Sequence, residues 1–145
     1  MLNLEKQEET SNNFISLYDF EYQTLVNLGL DLIQRGDIDS ALRFFQELSL
    51  TSSLSSLSYF YLGTLHVIKD EVDVAIGYYS LAWEVNDNPL LAARLPSKVL
   101  NTLIIMKQVD KELLALWIRR AEKFVSSYAC DDLLIYDYAK RILNE

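Results

Sequence analysis

A spacing of 34 residues constrains this chain more than any other feature. Leu28-Gly29 returns as Leu62-Gly63, Ala41 as Ala75, Phe45 as Tyr79 and Leu48 as Ala82, all at that one offset. A unit of this length is too short for a domain and too long for one helix. It is a supersecondary unit whose apolar face needs a neighbouring unit to cover it. The stretch 34–48 aligns with 68–82, and both read as a turn followed by an amphipathic helix. Gly36 ends the helix before the turn, where a left-handed residue is usual. Asp70 stands at the same place in the second copy and is among the few other residue types that tolerate that conformation. Asp37, Asp39, Glu71 and Asp73 then open the next helix, where carboxylates suit the positive end of its dipole. Capping accounts for each of them without a metal or an acid–base pair.

A 34-residue helix–turn–helix period resembles the tetratricopeptide repeat family. The first copy, about 22–55, carries Leu25, Leu28-Gly29, Leu32, Ala41, Phe45 and Leu48 of its pattern. The second, about 56–89, carries Tyr59, Leu62-Gly63, His66, Ala75, Tyr79 and Ala82, with Pro89 two places late. The resemblance implies an all-α fold, a tetratricopeptide-like α-solenoid of about three helix–turn–helix pairs closed by a C-terminal capping helix. The third pair, about 95–125, lacks Leu-Gly. Pro96 suits a first helical turn, Ser97–Met106 follows as the helix, and Val109-Asp110 reads as a turn. Lys111–Val125 is the second helix, with Leu113, Leu114, Trp117, Ile118 and Ala121 at helical spacing. The connector Asn86–Arg94 is longer than in the earlier pairs. Asp131 or Asp132 caps the last helix, about 132–144, where Leu134, Tyr138 and Ile142 share one face. A single domain over 14–145 is expected, with 1–13 disordered and Phe14–Phe20 either lengthening the first helix or forming an arm.

The search for chemistry yields little. Half of the 145 residues are apolar, enough for a core without metal or disulfide staples. The net charge of -8 repels phosphate backbones, so no nucleic-acid partner is expected. Cys130 is the only cysteine and reads as a half-buried structural thiol. The start MLNLEKQEETSNN lacks a signal-peptide pattern. No apolar run reaches the length of about 18 residues that a membrane span needs. A cytoplasmic location without membrane insertion is therefore expected. No Gly-rich phosphate loop, zinc motif or nucleophile elbow is present. His66 is the sole histidine and reads as packed and hydrogen-bonded, and Trp117 as core. The expectation is a non-enzyme with no catalytic residues, no metal site and no cofactor.

Function is then read from the resemblance. In tetratricopeptide proteins the first helices of successive pairs line a concave groove. Here they supply Val26, Leu30 and Ile33, then Phe60, Thr64 and Val67 with Tyr61 at the edge, then Val99, Leu103 and Met106. Each trio follows the spacing i, i+4, i+7, one helix face. The set is mostly apolar, which suits a hydrophobic or amphipathic segment of another protein. A set of groups gripping a carboxylate is not expected where Val26, Leu30 and Phe60 stand. The same face could instead pack on the N-terminal arm or on a second copy in a homodimer. Size, charge and repeat number resemble the secretion chaperones of bacterial type III systems, which implies an export substrate as the partner. The alternative is a structural adaptor or scaffold subunit of a larger complex.

Overall fold

The structure, a computed structural model, describes residues 23–51, 54–85, 88–107 and 110–145. Residues 1–13, the segment Phe14–Phe20 and Val109 lie outside the described residues. All regular elements among those described are helical, so the all-α expectation holds. We label them α1 (residues 23–34), α2 (Ile38–Leu48), α3 (Ser55–Ile68), α4 (Val72–Val85), α5 (Pro89–Ile105), α6 (Lys111–Glu122) and α7 (Cys130–Leu143), with a 3-10 turn at Val125–Ser127 before α7. No helix among the described residues is long and apolar enough to cross a membrane.

The repeat is visible in the backbone. Gly36 has φ 77° and Asp70 has φ 63°. At the first turn the Gly36 amide donates to the Ile33 carbonyl (2.9 Å) and the Asp37 amide to the Leu32 carbonyl (3.0 Å). At the second, Asp70 donates to Val67 (3.0 Å) and Glu71 to His66 (2.8 Å). This paired pattern satisfies carbonyls that a helix end leaves open. Asp37 also caps α2, its Oδ1 accepting from the Ser40 amide at 3.3 Å. Glu71 does not cap α4 with its side chain; it faces His66 and Lys69 instead. A third left-handed residue, Lys107 (φ 58°), ends α5.

The expected third pair is displaced. Its first helix starts at Pro89 rather than Pro96, because the Asn88 side chain accepts from the Leu91 amide at 3.2 Å and Pro89 takes the first helical position. Proline fits there because that amide has no helical partner to lose. Pro96 is instead fully buried inside α5, at the cost of one ladder hydrogen bond. The long connector Asn86–Arg94 therefore does not exist, since most of it is helix. Asp110 caps α6 as its side chain accepts from Leu113 (3.1 Å), and α6 stops at Glu122 rather than Val125. The last helix begins at Cys130, and neither Asp131 nor Asp132 caps it; the cap residue is Ala129, with no side-chain bond. Both aspartates lie in the first turn, where they still face the positive end of the dipole.

The chain groups into two compact units, Met1–Phe44 and Phe45–Glu145. In the smaller unit Val26, Ala41 and Leu42 are buried, while Leu28 is 54% exposed although its repeat partner Leu62 is 1% exposed. The larger unit holds a continuous core drawn from α4 (Val72, Ala75, Ile76, Tyr79, Ala82), α5 (Leu95, Val99, Leu100, Leu103), α6 (Leu114, Trp117, Ile118, Ala121) and α7 (Tyr136, Ala139). Helix α3 packs along α4 through small residues. Gly63 lies against the Tyr79 ring, and Ser56 Oγ donates to the Ala82 carbonyl at 3.0 Å. Trp117 is core, as expected. Arg120 lies over it and over Trp83, at 4.5 and 5.2 Å from the ring centres. Burial draws the Arg120 pKa below its ordinary value, opposed by the nearby Glu84 carboxylate.

Candidate functional site: a cleft between three alternate helices

Helices α3, α5 and α7, alternate in chain order, enclose a cleft of about 200 Å³ in the larger unit. Helix α3 contributes Phe60. Helix α5 contributes Arg94, Ser97, Lys98 and Asn101, and α7 contributes Asp132 and Ile135. Arg94, Lys98 and Asn101 follow i, i+4, i+7 and so share one face of α5. Phe60 and Ile135 are half-buried and apolar, and both pack on the core. The cleft therefore combines two apolar side chains with two cations and an amide.

The polar groups differ in how they are held. Ser97 is buried and its Oγ donates to Asp132 Oδ1 at 2.6 Å, which ties α5 to α7 and occupies that carboxylate. Among the described residues neither Arg94 nor Lys98 forms an ion pair. Arg94 is exposed and close enough to Tyr61 to favour its phenolate, although burial dominates and raises that phenol's pKa. Near Asp132 lies Tyr128, whose hydroxyl is buried without a hydrogen-bond partner. Burial first, then the charge of Asp132 and the neighbouring Tyr136, push its pKa up to about 12. A phenol raised in the fold stabilises it fully below pH 10, and that contribution fades as pH climbs from about 10 to 12. Absorbance titration is expected to show Tyr128→Phe removing an ionisation near pH 12 and flattening the alkaline loss of stability.

Of the groove residues expected from the sequence, only Phe60 lines this cleft. Val99 and Leu103 are wrong for a groove: they are 0% and 1% exposed and belong to the core. Met106 lies at the end of α5, half-buried against the core beside a recess at the α3–α4 turn. Val26 is buried, and Leu30 and Ile33 are half-buried, all on α1 in the smaller unit. Tyr61 stacks on Phe45 with ring centres 4.9 Å apart, and Thr64 Oγ1 shares hydrogen bonds with the Phe60 carbonyl and the Tyr79 hydroxyl. Val67 packs on the core. The missed residues had a signal. Arg94, Lys98 and Asn101 stand 34 residues after Phe60, Thr64 and Val67. Val99, Leu103 and Met106 stand 39 after them, which places the third pair's extra residues before its first helix instead of after it.

Other candidates for chemistry do not converge. His66 is packed, stacked on Tyr78 with ring centres 5.3 Å apart, but its Nδ1 is buried without a hydrogen bond and lies 3.6 Å from Glu71 Oε1. Cys130 is exposed rather than half-buried, because α7 starts on it at the surface. The recess at the α3–α4 turn, about 410 Å³, is lined by Asp70, Glu71, Asp73, Val72, Val74 and Met106 and has no nucleophile or base pair. Among the described residues no group of three or more His, Cys, Asp or Glu is placed to hold a metal ion. A scan of the chain against protein-family models finds no match, and a search of curated proteins finds none.

Proposed function

We propose that the chain is a protein-interaction module that seats an amphipathic segment of a partner in the α3–α5–α7 cleft. The observation that carries this is the face Arg94–Lys98–Asn101 set opposite Phe60 and Ile135. At about 200 Å³ the cleft is smaller than the roughly 300–1,000 Å³ of small-ligand sites, and fits one or two side chains of a peptide. An apolar side chain would rest on Phe60 and Ile135, while a carboxylate beside it meets Arg94 and Lys98. Two unpaired cations in a chain of net charge -8 favour that complement. The partner is thus more acidic than a purely apolar groove would select. That alternate helices in chain order, α3, α5 and α7, contribute the cleft supports the same reading. An export chaperone holding a client segment is its narrower form and rests on the family resemblance.

The test is a selection of peptides from a random displayed library, followed by anisotropy with the winners. Selected peptides are expected to pair a large apolar residue with Asp, Glu or a free C-terminus. Arg94→Glu combined with Lys98→Glu should weaken binding more than tenfold, about 1.4 kcal/mol. Arg119→Glu, exposed on α6, should leave it unchanged. Equal affinity for both variants would place the binding surface elsewhere.

A further inference from the structure

One face of α7 has no partner among the described residues. Leu134 is 60% and Tyr138 47% exposed, although the opposite face of the same helix is core through Tyr136 and Ala139. Asp131, one turn before Leu134, and Arg141, one turn after Tyr138, complete the outward row, and all four are exposed. The Arg141 guanidinium rests 5.4 Å from the Tyr138 ring centre, and neither Asp131 nor Arg141 has an ion pair among the described residues.

The spacing of this row is informative. Asp131, Leu134, Tyr138 and Arg141 alternate steps of three and four, the a and d positions of a heptad. The row is also a mirror of itself about its midpoint at Tyr136, with an acid at one end and a base at the other. Laid antiparallel on a second copy, Leu134 meets Tyr138 and Asp131 meets Arg141, and the reverse contacts follow by symmetry. A two-fold interface requires such self-complementarity, since residue i must fit j wherever j fits i. A parallel pairing would instead set Asp131 on Asp131 and Arg141 on Arg141.

We infer that α7 is an interface between two copies of this chain, paired antiparallel through Leu134 and Tyr138 and held in register by Asp131 with Arg141. The surface is distinct from the α3–α5–α7 cleft, so the inference does not rest on the proposed partner. Four layers form a small interface, below about 1,200 Å², so the dimer is weak and its formation depends on concentration. Its outer layers are ionic, so it weakens further as salt screens them.

Sedimentation equilibrium of the full chain tests this. Wild type is expected to pass from monomer to dimer with rising concentration. Arg141→Asp sets acid against acid in both outer layers, and Asp131→Arg sets base against base, so each should raise the dissociation constant at least tenfold. The two combined restore opposite charges and should bring it back to within about threefold of wild type. Leu134→Glu should abolish the dimer. All of these positions are exposed, and unchanged helical circular dichroism separates lost pairing from lost folding. A wild type that stays monomeric at every concentration, singles that dimerise like wild type, or a double variant that fails to recover would each overturn the inference.

Discussion

Trp117→Ala is expected to remove about 3–5 kcal/mol of stability, the upper range for truncating a buried side chain. The side chain is 0% exposed and the largest fully buried one among the described residues. It meets Trp83 edge-on, with ring centres 6.0 Å apart, and lies under the Arg120 guanidinium. Truncation leaves a cavity between α4 and α6 that neighbouring helices cannot close, and it strips Arg120 of one of its two aromatic faces. Natural domains hold only about 5–15 kcal/mol in total, so the variant sits close to its folding threshold. The indole N–H limits the loss: it is buried without a partner, and deleting it removes that penalty. Trp117→Phe, which keeps an aromatic face and drops the N–H, should therefore lose less than half as much. Urea unfolding followed by circular dichroism measures both. A midpoint for Trp117→Ala equal to wild type would mean that this residue is not in the core.

The second large effect has an unusual sign. Alanine ordinarily stabilises a helix relative to glycine by about 1 kcal/mol. At Gly63 it should destabilise instead. A Cβ there would stand 2.6 Å from Tyr79 Cε1, 2.7 Å from Cδ1 and 3.0 Å from Cζ, well inside contact distance. The Tyr79 ring is 0% exposed and its hydroxyl is fixed to Thr64 Oγ1 at 3.0 Å, so it has nowhere to move. With a ring this confined, overpacking falls towards the upper end of about 1–3 kcal/mol and outweighs the gain in propensity, for a net loss of up to about 2 kcal/mol. Gly77 is the control on the next helix. It is exposed, and a methyl added there would meet nothing within 4 Å, so Gly77→Ala should gain about 0.5–1 kcal/mol. Thermal melts of the two variants should shift in opposite directions. Equal shifts would show that α3 and α4 do not meet at Gly63.

Those two sites also mark how far the sequence could be read. The small residue at Gly63 was legible because two copies of one pattern, 34 residues apart, repeat Leu-Gly, but that the Tyr79 ring of the next helix is what packs on it was not. The turns were legible because Gly36 and Asp70 are residue types that accept positive φ. Lys107 has no such preference, so although a break between Met106 and Lys111 was legible from the helical patterns on either side, its left-handed residue was not. The third pair failed on a competition between two prolines. Both fit a first helical turn, and only the Asn88 cap, a side-chain bond to Leu91, decides for Pro89. That one misplaced start carried the groove expectation with it. Shifted by five residues, the face Arg94–Lys98–Asn101 became Val99–Leu103–Met106, and a polar wall was exchanged for core side chains. The Ser97–Asp132 bond was beyond reach, because a contact 35 residues apart between α5 and α7 has no local signature.

If α3, α5 and α7 together form the surface that takes a partner segment, all three must respond when that segment binds. Backbone chemical shifts, recorded while a selected amphipathic peptide is titrated into the full chain, test this most directly. The largest changes are expected on Phe60, Arg94, Lys98, Asn101 and Ile135, with the three helices responding in one saturable step. Changes confined to other faces, or a titration in which α5 is silent while the peptide binds, would contradict the proposed surface.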